Sequence, residues 1–256
     1  MLHLPVYLSD TGHSDQALMW INVDFRKSSG TTKVNVSGGV IPVCIFAKPP
    51  IPAEVKTRLI PALGPVAAAE LAGAMLLDVW RTVESCPGVR PILATTRHGD
   101  FPFPVSPGDF WLQGDGGLGQ RIERILNRGL LQAPAAMAVG ADSPALTVAH
   151  LEAALDTLER NDLVVGPSTD GGFYLLGLRR SQGHLFSSVP WSSSQTLQVL
   201  KRRIQEYCLS FAELEPLFDV DTPSDLLTLE QHLRTHPSLA PATAAWWYRN
   251  RTRGHA

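Results

Sequence analysis

Three prolines, Pro49, Pro50 and Pro52, follow directly on the apolar run Val43-Cys44-Ile45-Phe46, and this junction restricts the fold more than anything else in the chain. The run has the length and composition of a buried strand. Proline offers no N–H to a ladder and breaks a helix interior, so the strand stops at Ala47-Lys48 and a stiff loop follows. The whole stretch, IPVCIFAKPPIPAEVKTRLIPAL from Ile41 to Leu63, carries Lys48, Lys56 and Arg58 in or just beyond that loop. In an open α/β sheet, ligands bind at the carboxyl ends of the strands. Three cations on a stiff loop at such an end suit an anion, because a restricted loop loses less entropy when its charges are fixed. A surface loop with three solvated cations has the same composition.

Beyond Leu63, helical patterns alternate with short apolar runs. From Gly64 to Ser85 the residues Val66, Leu71, Met75, Leu76 and Val79 fall at helical spacing, and Pro65 suits a first turn. Arg90–Thr95 reads as the next strand, and a crossover helix between two such strands implies parallel pairing with a right-handed connection. His98–Asp109 reads as loop. Gly114, Gly116, Gly117 and Gly119 then lead into a helix carrying Ile122, Ile125 and Leu126. Backbone amides at such a start can hold a phosphate or the polar edge of a base, and a plain turn would look the same.

Ala135–Gly140 is a small-residue strand that ends just before Asp142, with Thr147 as N-cap of a helix reaching Arg160. Asp142 at that strand end points to the crevice, or merely caps the turn. Asp162–Gly166 is a further strand, and Asp170-Gly171-Gly172 forms either a ligand-facing turn or an ordinary hairpin. Trp191 could stack on a sugar or base face, or serve the core. In the extended stretch near the end, Asp219 and Asp221 project to one side, and Leu226, Leu229 and Leu233 mark one face of the helix that follows.

At 256 residues, 44% hydrophobic and 18% charged, the chain can bury one substantial core. A net charge of -2 argues against a general nucleic-acid binder. Cys44, Cys86 and Cys208 are odd in number and far apart, which fits a reducing cytoplasm better than a disulfide framework or zinc site. No apolar run reaches membrane-span length, and no signal-peptide pattern opens the chain. Residues 1–40 include the Ser/Thr/Gly-rich SSGTTKVNVSGG and are expected to be a mobile extension. One domain is expected over 41–235, with a docking or frayed tail over 236–256.

Three signatures together carry a family resemblance: FAKPPIPAEVKTRL before a long helix, Gly140-Ala141-Asp142-Ser143-Pro144-Ala145-Leu146, and Asp219-Val220-Asp221-Thr222-Pro223-Ser224-Asp225-Leu226. They resemble a bacterial family of unassigned function, the DUF2064 type, in the nucleotide-diphospho-sugar transferase superfamily. That family is often labelled a glycosyltransferase and is similar to the guanylyltransferases that activate phospholactate or phosphoenolpyruvate. The resemblance implies a single GT-A, Rossmann-like α/β domain with a mostly parallel central sheet and helices on both faces. It also implies roles for Gln113, Gly119 and Arg121 in holding the nucleotide, and places Asp170 on the acceptor side. Asp142 and Asp221 become the leading ligands for Mg²⁺ or Mn²⁺, with Asp219 beside them. The family has Gly where this chain has Ala53, and alanine would be strained there if the position needs a positive φ.

Lys48, Lys56 and Arg58 thus form a basic rim, and Asp142, Asp219 and Asp221 an acidic one. A nucleotide diphosphate with a hard divalent cation between them accounts for both, since such a cation takes carboxylate and phosphate oxygens together. Lys56, Asp142 and Asp170 are the expected catalytic residues. The partners implied are a nucleotide or nucleotide-sugar donor and a small-molecule acceptor. Two reactions fit: glycosyl transfer, favoured by the family label and Trp191, and nucleotidyl transfer, favoured by three cations that suit a triphosphate. The reading leans to glycosyl transfer. A non-catalytic nucleotide or sugar-nucleotide sensor is the rival from another class.

Overall fold

The run before the prolines forms strand β1 (Ile41–Ala47). In the computed structural model, which describes residues 39–253, β1 lies inside a seven-stranded sheet. After it come α1 (Ile60–Leu63), α2 (Pro65–Glu84), β2 (Val89–Thr95), β3 (Phe110–Leu112), α3 (Leu118–Leu130) and β4 (Ala136–Gly140). The chain continues through α4 (Val148–Leu158), β5 (Leu163–Pro167), β6 (Phe173–Leu178), α5 (Thr196–Glu206), β7 (Phe211–Glu213), α6 (Asp225–Thr235) and α7 (Pro241–Arg253). Most of the extension expected over residues 1–40 lies outside the described residues.

The strand order is β3-β2-β1-β4-β6-β5-β7. All neighbours pair in parallel except β6, which runs antiparallel to both β4 and β5. From β1 the chain builds outward to β2 and β3, then returns to lay β4 on the other side of β1. That reversal is the topological switch point, and the crevice outside the strand ends there is where such sheets bind ligands. Phe46 of β1 is in register with Gly140 of β4, so the proline loop and Asp142 leave the sheet side by side.

Helices cover both faces, because the strand residues alternate between them. Val43, Ile45, Met137 and Val139 pack under α2 and α4. Ala136, Ala138 and Leu176 face α3 and α5 through Leu126 and Leu200. On α2 the periodic residues Leu71, Met75, Leu76 and Val79 are buried, but Val66 is exposed because it falls in the first turn, ahead of the packed face. β3 and β7 span three residues each, too short to register as apolar runs in the sequence. Among the described residues no helix is long and apolar enough to cross a membrane.

A third layer sits on α2. The segment 241–253 forms α7, whose Trp246 and Trp247 pack with Leu71 and Met75 of α2 and with Leu229 and Leu233 of α6. The same cluster holds Leu59, next to Arg58, and Val220, between Asp219 and Asp221. The C-terminal helix therefore backs both segments that carry the charged rims.

Candidate functional site

The three prolines force Lys48–Pro52 into open loop, and the chain turns back through Ala53 at φ 66 and Lys56 at φ 45. Both are left-handed conformations that favour glycine, so the alanine is strained, as its place in the signature implied. The turn at Lys56 aims its side chain inward: only 10% of it remains exposed. Its Nζ donates to Asp142 Oδ2 at 2.8 Å and lies 3.6 Å from Asp221 Oδ1. Arg58 donates to Asp221 Oδ2, also at 2.8 Å. Burial alone would lower the Lys56 ammonium, but Asp142, Asp221 and Asp219 outweigh it and hold its pKa above the ordinary value.

The acidic side is assembled by two segments far apart in sequence. Val220 N donates to Asp142 O at 3.0 Å, which fixes the Asp219–Asp221 segment against the end of β4. Val220 is fully buried, and its neighbours Asp219 and Asp221 turn to the other side, onto the cavity. Asp225 tightens this corner, with Oδ2 accepting from Asp221 N, Thr222 N and Thr222 Oγ1 at 2.7–3.0 Å. Burial pushes the Asp225 carboxyl up, but those hydrogen bonds outweigh it and hold it below the usual carboxylate range. Sequence reasoning placed Asp225 in the third signature without a role; its spacing ahead of α6 was the available clue.

Lys48, Lys56, Arg58, Asp142, Asp170, Asp219 and Asp221 all line one cavity of about 730 Å³. Asp170 sits on the β5–β6 hairpin turn and lines the cavity from there. Its Oδ1 accepts from Gly172 N at 2.8 Å and Ser168 Oγ at 2.5 Å, while Oδ2 has no hydrogen-bond partner among the described residues. Trp191 forms another wall, packed against Phe173 and Phe186 with ring centroids 6.1 Å away in each case.

Gln113, Gly119 and Arg121 are not on the cavity lining. Gln113 is buried: its Nε2 donates to Ala94 O, and its Oε1 accepts from Arg121 at 3.1 Å. Gly119 lets Trp191 approach the start of α3, because a Cβ there would lie 2.6 Å from the indole Nε1. These three residues brace the cavity from behind, and α3 reaches it through Leu118 and Ile122. Ser143 and Ser168, whose hydroxyls serve Asp219 and Asp170, were not singled out by sequence reasoning. A serine is too common for its position alone to signal a role.

Burial, then the Asp142 and Asp170 carboxylates, push Asp219 from its ordinary 3.8 up to about 7, with the Ser143 hydroxyl pulling it partly back. Folded Asp219 therefore keeps a proton that the unfolded chain releases above 3.8. The associated stability is full below that value and is lost as pH rises through about 7. Asp219→Asn should accordingly melt higher than the wild type near pH 8, with the difference vanishing near pH 4. A difference that stays constant across this range in thermal melts would remove this account.

Among the described residues, no three His, Cys, Asp or Glu side chains are already gathered as a cation site. Lys56 stands between Asp142 and Asp221 instead.

The fold is that of a Rossmann-like α/β protein with a mostly parallel sheet. A candidate nucleotide-diphospho-sugar transferase from Desulfovibrio desulfuricans G20 is similar at TM-score 0.76 and 24% identity, over 84% of this chain and 96% of that one. The 4-diphosphocytidyl-2C-methyl-D-erythritol synthase from Anaerococcus prevotii DSM 20548 is similar at TM-score 0.51 and 11% identity, over 78% of this chain and 98% of that one. At these identities the likeness shows the fold. No curated protein matches the sequence. The model of the family described as "Uncharacterized protein conserved in bacteria (DUF2064)" matches residues 92–193. That stretch runs from β2 to the loop before α5 and takes in the second of the three signatures, so the resemblance to this family is borne out there.

Proposed function

We propose that this protein is a divalent-metal-dependent transferase acting on a nucleotide-linked donor, and that the reaction is glycosyl transfer from a nucleotide-diphospho-sugar. The observation that carries this reading is the convergence, in one cavity at the switch point of the sheet, of cations from the segment after β1 with carboxylates from the end of β4, the β5–β6 turn and the loop before α6. Cations paired with carboxylates at a surface would be worth little. Here they meet in a cavity whose volume suits a small-molecule site.

The donor set fits a hard divalent cation. Asp142, Asp219 and Asp221 offer only oxygen, and Asp219 is a largely buried carboxylate beside other carboxylates, an arrangement that a cation relieves. Asp142 and Asp221 would hold Mg²⁺ or Mn²⁺, with Asp219 beside them; once bound, the ion supplies positive charge against the departing diphosphate. Lys48, exposed at the rim, and Arg58 bind phosphate oxygens, the lysine as a point charge and the arginine as a fork. Trp191 offers a ring face to the sugar or base. Asp170 Oδ2 accepts the hydrogen bond of an acceptor hydroxyl and orients it.

Nucleotidyl transfer is the second reading, favoured by the three cations of one rim, which suit a triphosphate. A sensor that lost its chemistry would be marked by binding without turnover.

A thermal-shift screen with nucleoside tri- and diphosphates and sugar nucleotides, with and without Mg²⁺, tests the proposal. A ligand that binds the native state raises its melting temperature. Sugar nucleotides should give the largest rise, and only with Mg²⁺ present. A rise from triphosphates alone would turn the assignment to nucleotidyl transfer, and no rise from any nucleotide would overturn it.

A further inference from the structure

Lys56 occupies the position between the two leading metal ligands. Its Nζ is 2.8 Å from Asp142 Oδ2 and 3.6 Å from Asp221 Oδ1, and its side chain is nearly buried between them. A hard divalent cation held by the same two carboxylates needs oxygens at roughly 2.0–2.6 Å. An ion so placed would stand beside the ammonium, and two positive charges a few ångströms apart in a partly buried site repel strongly. Both cannot keep the same oxygens. The backbone holding the lysine there is also left-handed, a conformation costly for a residue with a Cβ.

We propose that Lys56 is a built-in counter-ion for the Asp142–Asp221 pair, displaced when the metal enters and taken up by a phosphate of the incoming nucleotide, so that metal and nucleotide bind cooperatively. This rests on the metal-and-nucleotide reading above and adds to it an order of events. The metal alone must evict a paired, buried ammonium and leave it without a partner. Metal together with a diphosphate leaves the ammonium a new anion in the same cavity. Linkage then requires each ligand to strengthen the other equally. The lysine acts here as a positioning residue, coupling two binding events.

The test compares wild type with Lys56→Met, which keeps much of the side-chain volume and removes the charge. Lys56→Gln serves as a second variant, and far-UV circular dichroism verifies folding of both. Mn²⁺ binding is followed by titration calorimetry without nucleotide. The neutral variants should bind Mn²⁺ alone roughly tenfold more tightly, or better, than wild type. In thermal melts, Mn²⁺ with inorganic pyrophosphate should stabilise the wild type by more than the sum of the two separate shifts, and this excess should vanish in the variants. Mn²⁺ affinity that is equal or weaker in both variants overturns the inference while leaving the metal site standing. Mn²⁺ failing to bind wild type and variants alike would instead overturn the metal reading, and the inference with it.

Discussion

Asp142→Asn should lower Mg²⁺-dependent turnover of the nucleotide donor by ~10²–10³-fold, the scale on which removal of one transition-state electrostatic contact is felt. The substitution is isosteric but removes a full negative charge from the end of β4. The surroundings should hold, because the backbone bond from Val220 N to Asp142 O does not involve the side chain. The local cost falls on Lys56, which loses its charged partner at 2.8 Å and keeps its ion pair with Asp221 at 3.6 Å. Breaking a fully buried pair costs about 3–5 kcal/mol; with the Asp142 side chain 38% exposed, about 1–2 kcal/mol is expected. Steady-state kinetics on a donor identified by the thermal-shift screen, set beside a melt of the same variant, separates the two effects. Turnover within a factor of a few of wild type would remove Asp142 from the chemistry.

The second large effect is on stability and lies outside the cavity lining. Asp78 is buried on α2 and receives the start of α7: Oδ1 accepts from Ala242 N at 2.8 Å, and Oδ2 from Thr243 N at 2.8 Å and Thr243 Oγ1 at 2.7 Å. Pro241, the first residue of α7, has no N–H to satisfy. A carboxylate from another helix thus supplies the cap that local sequence does not. Asp78→Ala would strand these donors in a buried place, at an expected cost of about 3 kcal/mol. Trp246 and Trp247 should lose their packing as α7 loosens, so urea unfolding followed by tryptophan fluorescence reads the change directly. A loss below about 1 kcal/mol would mean that α7 docks without this contact. Burial pushes the Asp78 carboxyl above 3.8 despite those hydrogen bonds. Its ionisation therefore weakens the fold as pH rises from 3.8 through the folded value, and acid does not strip this cap away first.

Because Leu59 and Val220 share the cluster of Trp246 and Trp247, loosening α7 also removes support from behind Arg58 and from between Asp219 and Asp221. An Asp78 variant that folds should therefore bind nucleotide more weakly, although Asp78 never reaches the cavity.

Much of this protein was legible in one dimension. A strand cut short by proline, a periodic helix and a parallel partner strand are local patterns, and local sterics and periodicity sufficed to predict β1, α2 and β2 in their order. The charged rims were legible as well, since Lys56 follows the proline loop after β1, Asp142 follows the end of β4, and Asp221 falls in the extended stretch before α6. Their direct contact was not. That the ammonium lies between the two carboxylates depends on the left-handed turn at Lys56 and on a backbone bond spanning Asp142 and Val220, neither of which any local signal encodes. The same holds for Gln113 and Gly119, whose partners Ala94 and Trp191 are brought to them only when the sheet closes. It holds for α7 too, an aromatic and arginine-rich stretch that looks like a tail until a carboxylate from α2 caps it. Backbone preferences act over a few residues and can be read along the chain, whereas the pairing of buried charges is set by which distant segments the folded core forces together.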